Sequence, residues 1–339
     1  MNHFKTAAIA LSAFIVFSSA HALAQPQPLP PEPEPAQAAP DAGAAKIATP
    51  AMWRVADEDS EFILLGTIHF LPPSLEWRNP AVTSAFESAD IIYFEANPDD
   101  ATDLAEVGNL IRMEGANPPG VKLSSMLGIS DANKLREISQ ELQLSFAQID
   151  PLRPWNAFLA LTLQLLNSQG FDPGSGVDRA LVSEAKIMGK DIRYFETMSE
   201  QIGFFTQLDP KTERDMLVIT IRNWDDERDS MNDLVEAWAA GDTTYVDTSL
   251  NEEMREKVPA AFNVLIADRN AAWAETLDAE LREHSGKAMV AVGAAHLVGG
   301  EFSVPALLEA KGYEVSRYGV SETAAETIPD AANDNEPDE

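Results

Sequence analysis

The chain has 339 residues, 45% of them hydrophobic, no cysteine, and a formal net charge of −31. The apolar content permits a substantial core and excludes wholesale disorder. Lack of cysteine excludes disulfides, Cys-ligated zinc, iron–sulfur clusters and a thiol nucleophile, so any metal centre must be built from His and carboxylate. The charge argues against nucleic acid, which needs Lys and Arg to displace its counterions, and against anionic membrane surfaces; solubility is its plain reading.

Residues 1–24 read as a secretory signal peptide. Lys5 supplies the positive start, an apolar run extends from Ala7 to Phe17, and Ala22-Leu23-Ala24 is a small-x-small cleavage site. The mature chain is then expected to begin at Gln25, in a bacterial periplasm. The apolar run is too short to predict a spanning helix, and no stable membrane insertion is expected after cleavage; the competing reading is an uncleaved N-terminal anchor. Residues 25–50, rich in Pro and Ala, predict an extended linker. Residues 321–339 carry seven acidic side chains and no Lys or Arg, the composition of a solvated, disordered tail. The folded domain is expected over 51–320.

Within it, strand and helix signals alternate. Short apolar runs bounded by polar residues or Gly predict strands at Glu61–Gly66, Ile91–Phe94, Ile192–Phe195, Ala288–Val292 and Tyr313–Val315. Helical spacing covers Asp131–Leu144, Asp178–Met188 with Asp178 as N-cap, Met231–Ala240 ending at Gly241, and Ala260–His284 ending at Gly286 and broken once. Trp155–Leu166 is apolar nearly all round but short, which predicts a buried core helix with Trp155 in the packing. The alternation predicts an α/β fold with a central, mostly parallel sheet flanked by helices. Two short words recur in mirrored order: Gly66-Thr67-Ile68-His69 is echoed by Gly293-Ala294-Ala295-His296, and Tyr93-Phe94-Glu95 by Tyr194-Phe195-Glu196. Either two pseudo-symmetric halves or the coincidence of short words accounts for them.

Three histidines follow the cleavage site: His69, His284 and His296. His69 and His296 each stand just past an apolar strand after a Gly turn. In an open α/β sheet such strand ends face the ligand crevice. Glu95 ends a third strand. Two imidazoles and a carboxylate are a complete ligand set for Zn, Mn, Fe or Co, and a metal held there would acidify a water into a nucleophile. A lone strand-end His is commonly structural; two in matching contexts with a carboxylate shift the balance toward a site. Glu196 is a candidate further ligand or general base, with a salt bridge as its plain alternative. Arg269 is a candidate oxyanion stabiliser or an ordinary helix ion pair. Asn270 is expected to orient its neighbours. His284, near a helix C-terminus, suits the dipole as a structural cation.

The segment Leu64–Pro72, with Phe94-Glu95, Pro154-Trp155, Gly176-Val177-Asp178, Phe195-Glu196-Thr197, Gln201, Arg269-Asn270, Val292–Leu297 and Gly312–Val315, resembles the TraB/GumN/TIKI family in order over residues 53–318. The resemblance implies the fold of erythromycin esterases and ChaN-like haem-binding proteins. Animal TIKI members are metal-dependent proteases favouring Mn or Co, which implies His69, Glu95 and His296 as the ligand or catalytic set here. It also implies a divalent cofactor (Mn, Co or Zn) and a peptide or small-molecule ester or amide substrate. The esterase relatives supply a rival, metal-free hydrolysis with His69 as base; a haem- or peptide-binding protein without turnover is a third possibility. Asp268 stands where bacterial relatives often carry Glu, and is left out of the site.

Overall fold

Four glycine-flanked or polar-flanked apolar runs form the centre of the molecule. The computed structural model describes residues 47–319; the expected signal peptide, nearly all of the linker and the acidic tail lie outside the described residues. Six strands, β1 Met52–Ala56, β2 Ser60–Thr67, β3 Ile91–Phe94, β4 Asp191–Tyr194, β5 Gly286–Gly293 and β6 Glu314–Arg317, make one sheet in the order β4-β3-β5-β2-β1-β6. β4, β3, β5 and β2 pair in parallel. β1 is antiparallel to both β2 and β6, so β1 alone opposes the common direction and the sheet is mostly parallel.

The sheet is covered on both faces, which is why its central strands read as continuous apolar runs. Alternate residues divide between two cores. Phe62, Leu64, Ile91, Tyr93, Val290 and Val292 pack on one face with Trp273 and Leu277 of the helix Asp268–Glu283. Ile63, Leu65, Ile92, Phe94, Met289 and Ala291 pack on the other against the remaining helices, including Pro154–Ser168 and the long Pro210–Ala240. Trp155 is fully buried in that second core, as expected.

Several elements depart from the sequence reading. β1 was not foreseen: Arg54 sits mid-strand, where its Nε donates to Glu61 Oε2 on β2 at 2.7 Å, and this charge breaks the apolar signature. The last linker residues are part of the fold. Ala48 is buried and its N–H donates to the Glu76 carbonyl, while Thr49 N donates to Ala239. Met231–Ala240 is only the end of the helix Pro210–Ala240, capped by left-handed Gly241 as read. The break expected in Ala260–His284 is a π-helical turn, Asn263–Ala267; the helix after it stops with His284 at its C-cap, and Gly286 opens β5. A second π turn, Thr248–Glu252, lies upstream.

The helix Val177–Met188 starts one residue earlier than expected, with Gly176 at its N-cap. Gly176 packs so closely on the first GxxH loop that a Cβ there would lie 2.3 Å from the His69 carbonyl oxygen, while Val177 N donates to Ile68 O at 3.1 Å. By contrast Gly108, exposed inside the helix Ala101–Glu114, has nothing near its missing Cβ. The two positions should respond with opposite signs in urea denaturation. Gly176→Ala is expected to destabilise by roughly 1–3 kcal/mol through overpacking, and Gly108→Ala to stabilise by about 0.5–1 kcal/mol through helix propensity. Equal responses would contradict this close packing.

Candidate active site

Strand order brings the candidate side chains together. β5 lies between β3 and β2, and Thr67 is opposite Gly293 across the parallel ladder. The two GxxH loops therefore leave the same sheet edge side by side, with Glu95 beside them at the end of β3. The echoed words are sheet neighbours in each case, offset by one residue: Gly66 pairs with Val292 and Phe94 with Tyr194. His69 Nε2 is 3.9 Å and His296 Nε2 is 3.8 Å from the same oxygen, Glu95 Oε1. All three residues are at most 5% exposed. Gly293 lies at the focus. A Cβ on it would stand 3.0 Å from Glu95 Oε1 and 3.4 Å from His69 Nε2, so any side chain there would fill the centre.

Each imidazole is held from behind. His69 Nδ1 is 2.6 Å from Asp178 Oδ2, and the other Asp178 oxygen accepts from Thr67 Oγ1 at 2.6 Å. His296 Nδ1 is 2.6 Å from Asn270 Oδ1. Asn270 Nδ2 donates to the Phe302 carbonyl at 2.8 Å, which turns its oxygen to the ring. The proton therefore belongs on His296 Nδ1, and Nε2 carries a lone pair. Both Nε2 atoms are buried without a hydrogen-bond partner.

Glu95 is held at both carboxylate oxygens. Its Oε1 accepts from Gly293 N at 2.6 Å, and its Oε2 accepts from Arg269 Nη2 at 3.1 Å and Gln201 Nε2 at 3.0 Å. Arg269 also grips Glu196 through Nε at 2.9 Å and Nη2 at 2.8 Å, and gives Nη1 to the Leu265 carbonyl inside the π turn. Trp273 Nε1 donates to Glu196 Oε1 at 3.0 Å, and its ring lies 4.4 Å from that of His296.

The electrostatics make the two histidines unlike. Burial, reinforced by Arg269 and His69, holds His296 well below the ordinary imidazole range. Burial also acts to lower His69, but the charge and hydrogen bond of Asp178, with Glu95 behind them, outweigh it and the net direction is up. Burial raises the Glu95 carboxyl, against the pull of Arg269 and His69. The opposing carboxylates Glu196 and Glu95 overcome burial and raise Arg269.

The donor chemistry suits a divalent ion: two unpartnered imidazole nitrogens with oriented Nδ1–H groups, one carboxylate oxygen, and a space that a Cβ would fill. Among the described residues no three His, Asp or Glu side chains already stand at coordination spacing. Tetrahedral bonds of about 2.0–2.2 Å would set neighbouring donors roughly 3.3–3.6 Å apart, so binding requires each Nε2 and Glu95 Oε1, now 3.9 and 3.8 Å apart, to draw closer.

All five candidate residues meet here, but not on equal terms. Both oxygens of Glu196 are engaged by Arg269, and it makes no contact with either imidazole among the described hydrogen bonds. Most donors of Arg269 are likewise committed. Asp178 is not the helix cap expected of it: it occupies the first turn and spends its carboxylate on His69 and Thr67. Thr67, Gln201 and Trp273 were not read as site residues. Signals existed for all three: Thr67 lies inside the first GxxH word, Gln201 is among the residues of the family resemblance, and Trp273 lies one helical turn beyond Arg269. Asp268, left out, is exposed, and His284 lies at a helix end away from the site.

The Asn270 bond can be tested directly. Imidazole 15N spectra should show neutral His296 with its proton on Nδ1, and Asn270→Ala should cost roughly 1–3 kcal/mol of stability by orphaning that buried N–H. A proton found on Nε2 in the unaltered chain would contradict the assignment.

With this geometry established, the chain was compared with known proteins. It matches the TraB/PrgY/gumN family over residues 51–317. No curated protein and no solved structure matches it. Most of the chain lies within that match, including every residue of the site, and the protein belongs to the TraB/PrgY/gumN family.

Proposed function

We propose that the protein is an exported hydrolase, a metal-dependent peptidase acting on amide or ester substrates in the periplasm. The observation that carries the reading is the pair of buried, unpartnered Nε2 atoms facing one Glu95 oxygen. Two ring nitrogens left bare in a buried centre are costly unless a ligand completes them. His69, His296 and Glu95 would hold the ion, whose chemistry when bound is Lewis-acid polarisation and acidification of water. The family resemblance favours Mn or Co, with Zn as a further candidate. Export rests on the N-terminal sequence pattern; among the described residues no helix is long and apolar enough to cross a membrane.

The protein's own groups divide the remaining work. Asp178 keeps the His69 proton on Nδ1 and directs Nε2 into the centre. Asn270 does the same for His296 without adding charge. Arg269 bridges Glu95 and Glu196, and its positive charge lies close enough to assist an oxyanion developing at the centre. Glu196 holds Arg269 in place, and is a further carboxylate able to take up a departing proton. The centre is almost closed to solvent, so substrate entry requires its cover to move.

One observation favours a second reading. The Asp178–His69 pair, with its raised imidazole, is also the arrangement of a general base steadied by a carboxylate. In that case His69 itself takes the proton from water and no metal is needed.

Hydrolysis of fluorogenic peptides and nitrophenyl esters by the mature chain tests both readings. We expect His69→Ala, His296→Ala and Glu95→Gln each to lose about 10²–10⁴-fold in kcat/KM and chelator to abolish activity, with Mn or Co restoring it. Full activity in chelator with the same losses on mutation supports the metal-free base. Unaltered turnover in all three variants refutes both.

A further inference from the structure

A second group of buried oxygen atoms without partners lies away from the catalytic centre, where the chain doubles back on its longest helix. After Gly241 the segments Thr243–Asp247, the π turn Thr248–Glu252 and Glu253–Lys257 run back along Pro210–Ala240. Two contacts fix the register. Asn223 Nδ2 donates to Glu253 Oε1 at 2.7 Å, and Lys257 lines the same surface groove as Val218 and Arg222. Glu227 lies one turn beyond Asn223 on the long helix, and Ser249 one turn before Glu253 on the returning one. The antiparallel register therefore places Glu227 near Glu253, whose charge acts on it, with Ser249 one turn before Glu253 on the returning segment.

These three side chains are alike in what they lack. Glu227 Oε1, Ser249 Oγ and Glu253 Oε2 are buried and accept or donate no hydrogen bond. Glu227 is 2% exposed and Ser249 3%. Burial and the neighbouring carboxylates Glu253 and Asp226 push Glu227 well above the ordinary carboxylate range, and no cationic side chain acts on it. The Asn223 amide and Lys257 act on Glu253 instead. A buried carboxylate facing another, with no donor to answer it, is an incomplete arrangement. The free atoms are all oxygen, the ligand type of hard divalent cations.

We propose that Glu227, Glu253 and Ser249 form a second ion site, for a hard divalent cation and Ca²⁺ in particular, that pins the returning segment to the long helix. Ca²⁺ suits it better than Mg²⁺, because Ca²⁺ accepts irregular oxygen sets completed by water while Mg²⁺ demands a near-ideal octahedron. The site is structural, independent of the hydrolase reading, and reaches the catalytic centre through one residue. Asn251, in the π turn, donates from Nδ2 to the Ala295 carbonyl at 3.0 Å, next to His296. An ion fixing this turn also fixes the second GxxH loop.

Thermal unfolding of the chelator-stripped mature chain, with and without CaCl2 at constant ionic strength, tests the proposal. Parallel runs on His69→Ala separate this site from the catalytic centre. Saturating Ca²⁺ is expected to raise Tm by roughly 3–8 °C in both chains. Glu227→Gln should lose that rise while unfolding no earlier than the unaltered chain in the absence of Ca²⁺, and Glu253→Gln should weaken it. Tb³⁺ alone should give emission sensitised by the adjacent Trp224 and competed by Ca²⁺, a readout that needs no variant. Absence of both the Tm rise and Tb³⁺ emission in the unaltered chain overturns the proposal, as does a Ca²⁺ response retained in Glu227→Gln.

Discussion

Burying the Glu95 carboxylate just past the end of β3, at the carboxyl edge of a mostly parallel sheet, is the constraint around which the rest of the site is organised. A carboxylate at 2% exposure must be answered by donors or it will not stay charged. Here the donors come from three distant parts of the chain: Gly293 N from the end of β5, Gln201 from the helix Met198–Thr206, and Arg269 from the helix after the π turn. Each donor carries its own demand. Gly293 must lack a side chain, because its Cβ would occupy the focus. Arg269 must be balanced by Glu196, which in turn takes the Trp273 N–H. These mutual hydrogen bonds explain how so many charged and polar side chains can be buried together.

The two histidines share a motif and a sheet edge but not an environment. A carboxylate stands behind His69 and a neutral amide behind His296. The difference pushes their protonation tendencies apart, the arrangement expected where two similar groups do different work. It also makes the centre versatile: two lone pairs can close on an ion, or one imidazole can act as a base while the other remains neutral. Both outcomes rest on the same orienting bonds to Asp178 and Asn270.

Much of this was legible in the sequence, and what was missed has physical causes. Central strands buried on both faces are uninterrupted apolar runs, so Ile91–Phe94 was read with its observed bounds. The edge-side strand β1 carries Arg54, paired across to Glu61, and that charge hid it. His69, Glu95 and His296 were legible because strand-end residues inherit their placement from the sheet. The roles of Glu196 and Arg269 were not, since a motif names residues without saying which oxygens are already engaged. Asp178 was misread because an acidic residue at a helix start has an ordinary explanation as a cap; only the approach of Gly176 to the His69 carbonyl turns its carboxylate to the imidazole instead. Of the π turns, one showed in the sequence only as an unspecified break in helical spacing and the other not at all, yet the first supplies the Leu265 carbonyl that anchors Arg269 and the second holds Ala295 through Asn251.

The central claim is that His69 Nε2, His296 Nε2 and Glu95 Oε1 are a ligand set awaiting its ion. Anomalous diffraction from crystals of the mature chain grown with Co²⁺ measures this most directly. The account predicts one strong cobalt peak within bonding distance of all three atoms, with Asp178 and Asn270 still on the Nδ1 atoms. A centre without cobalt, both imidazoles unmoved, while the ion binds elsewhere would contradict it.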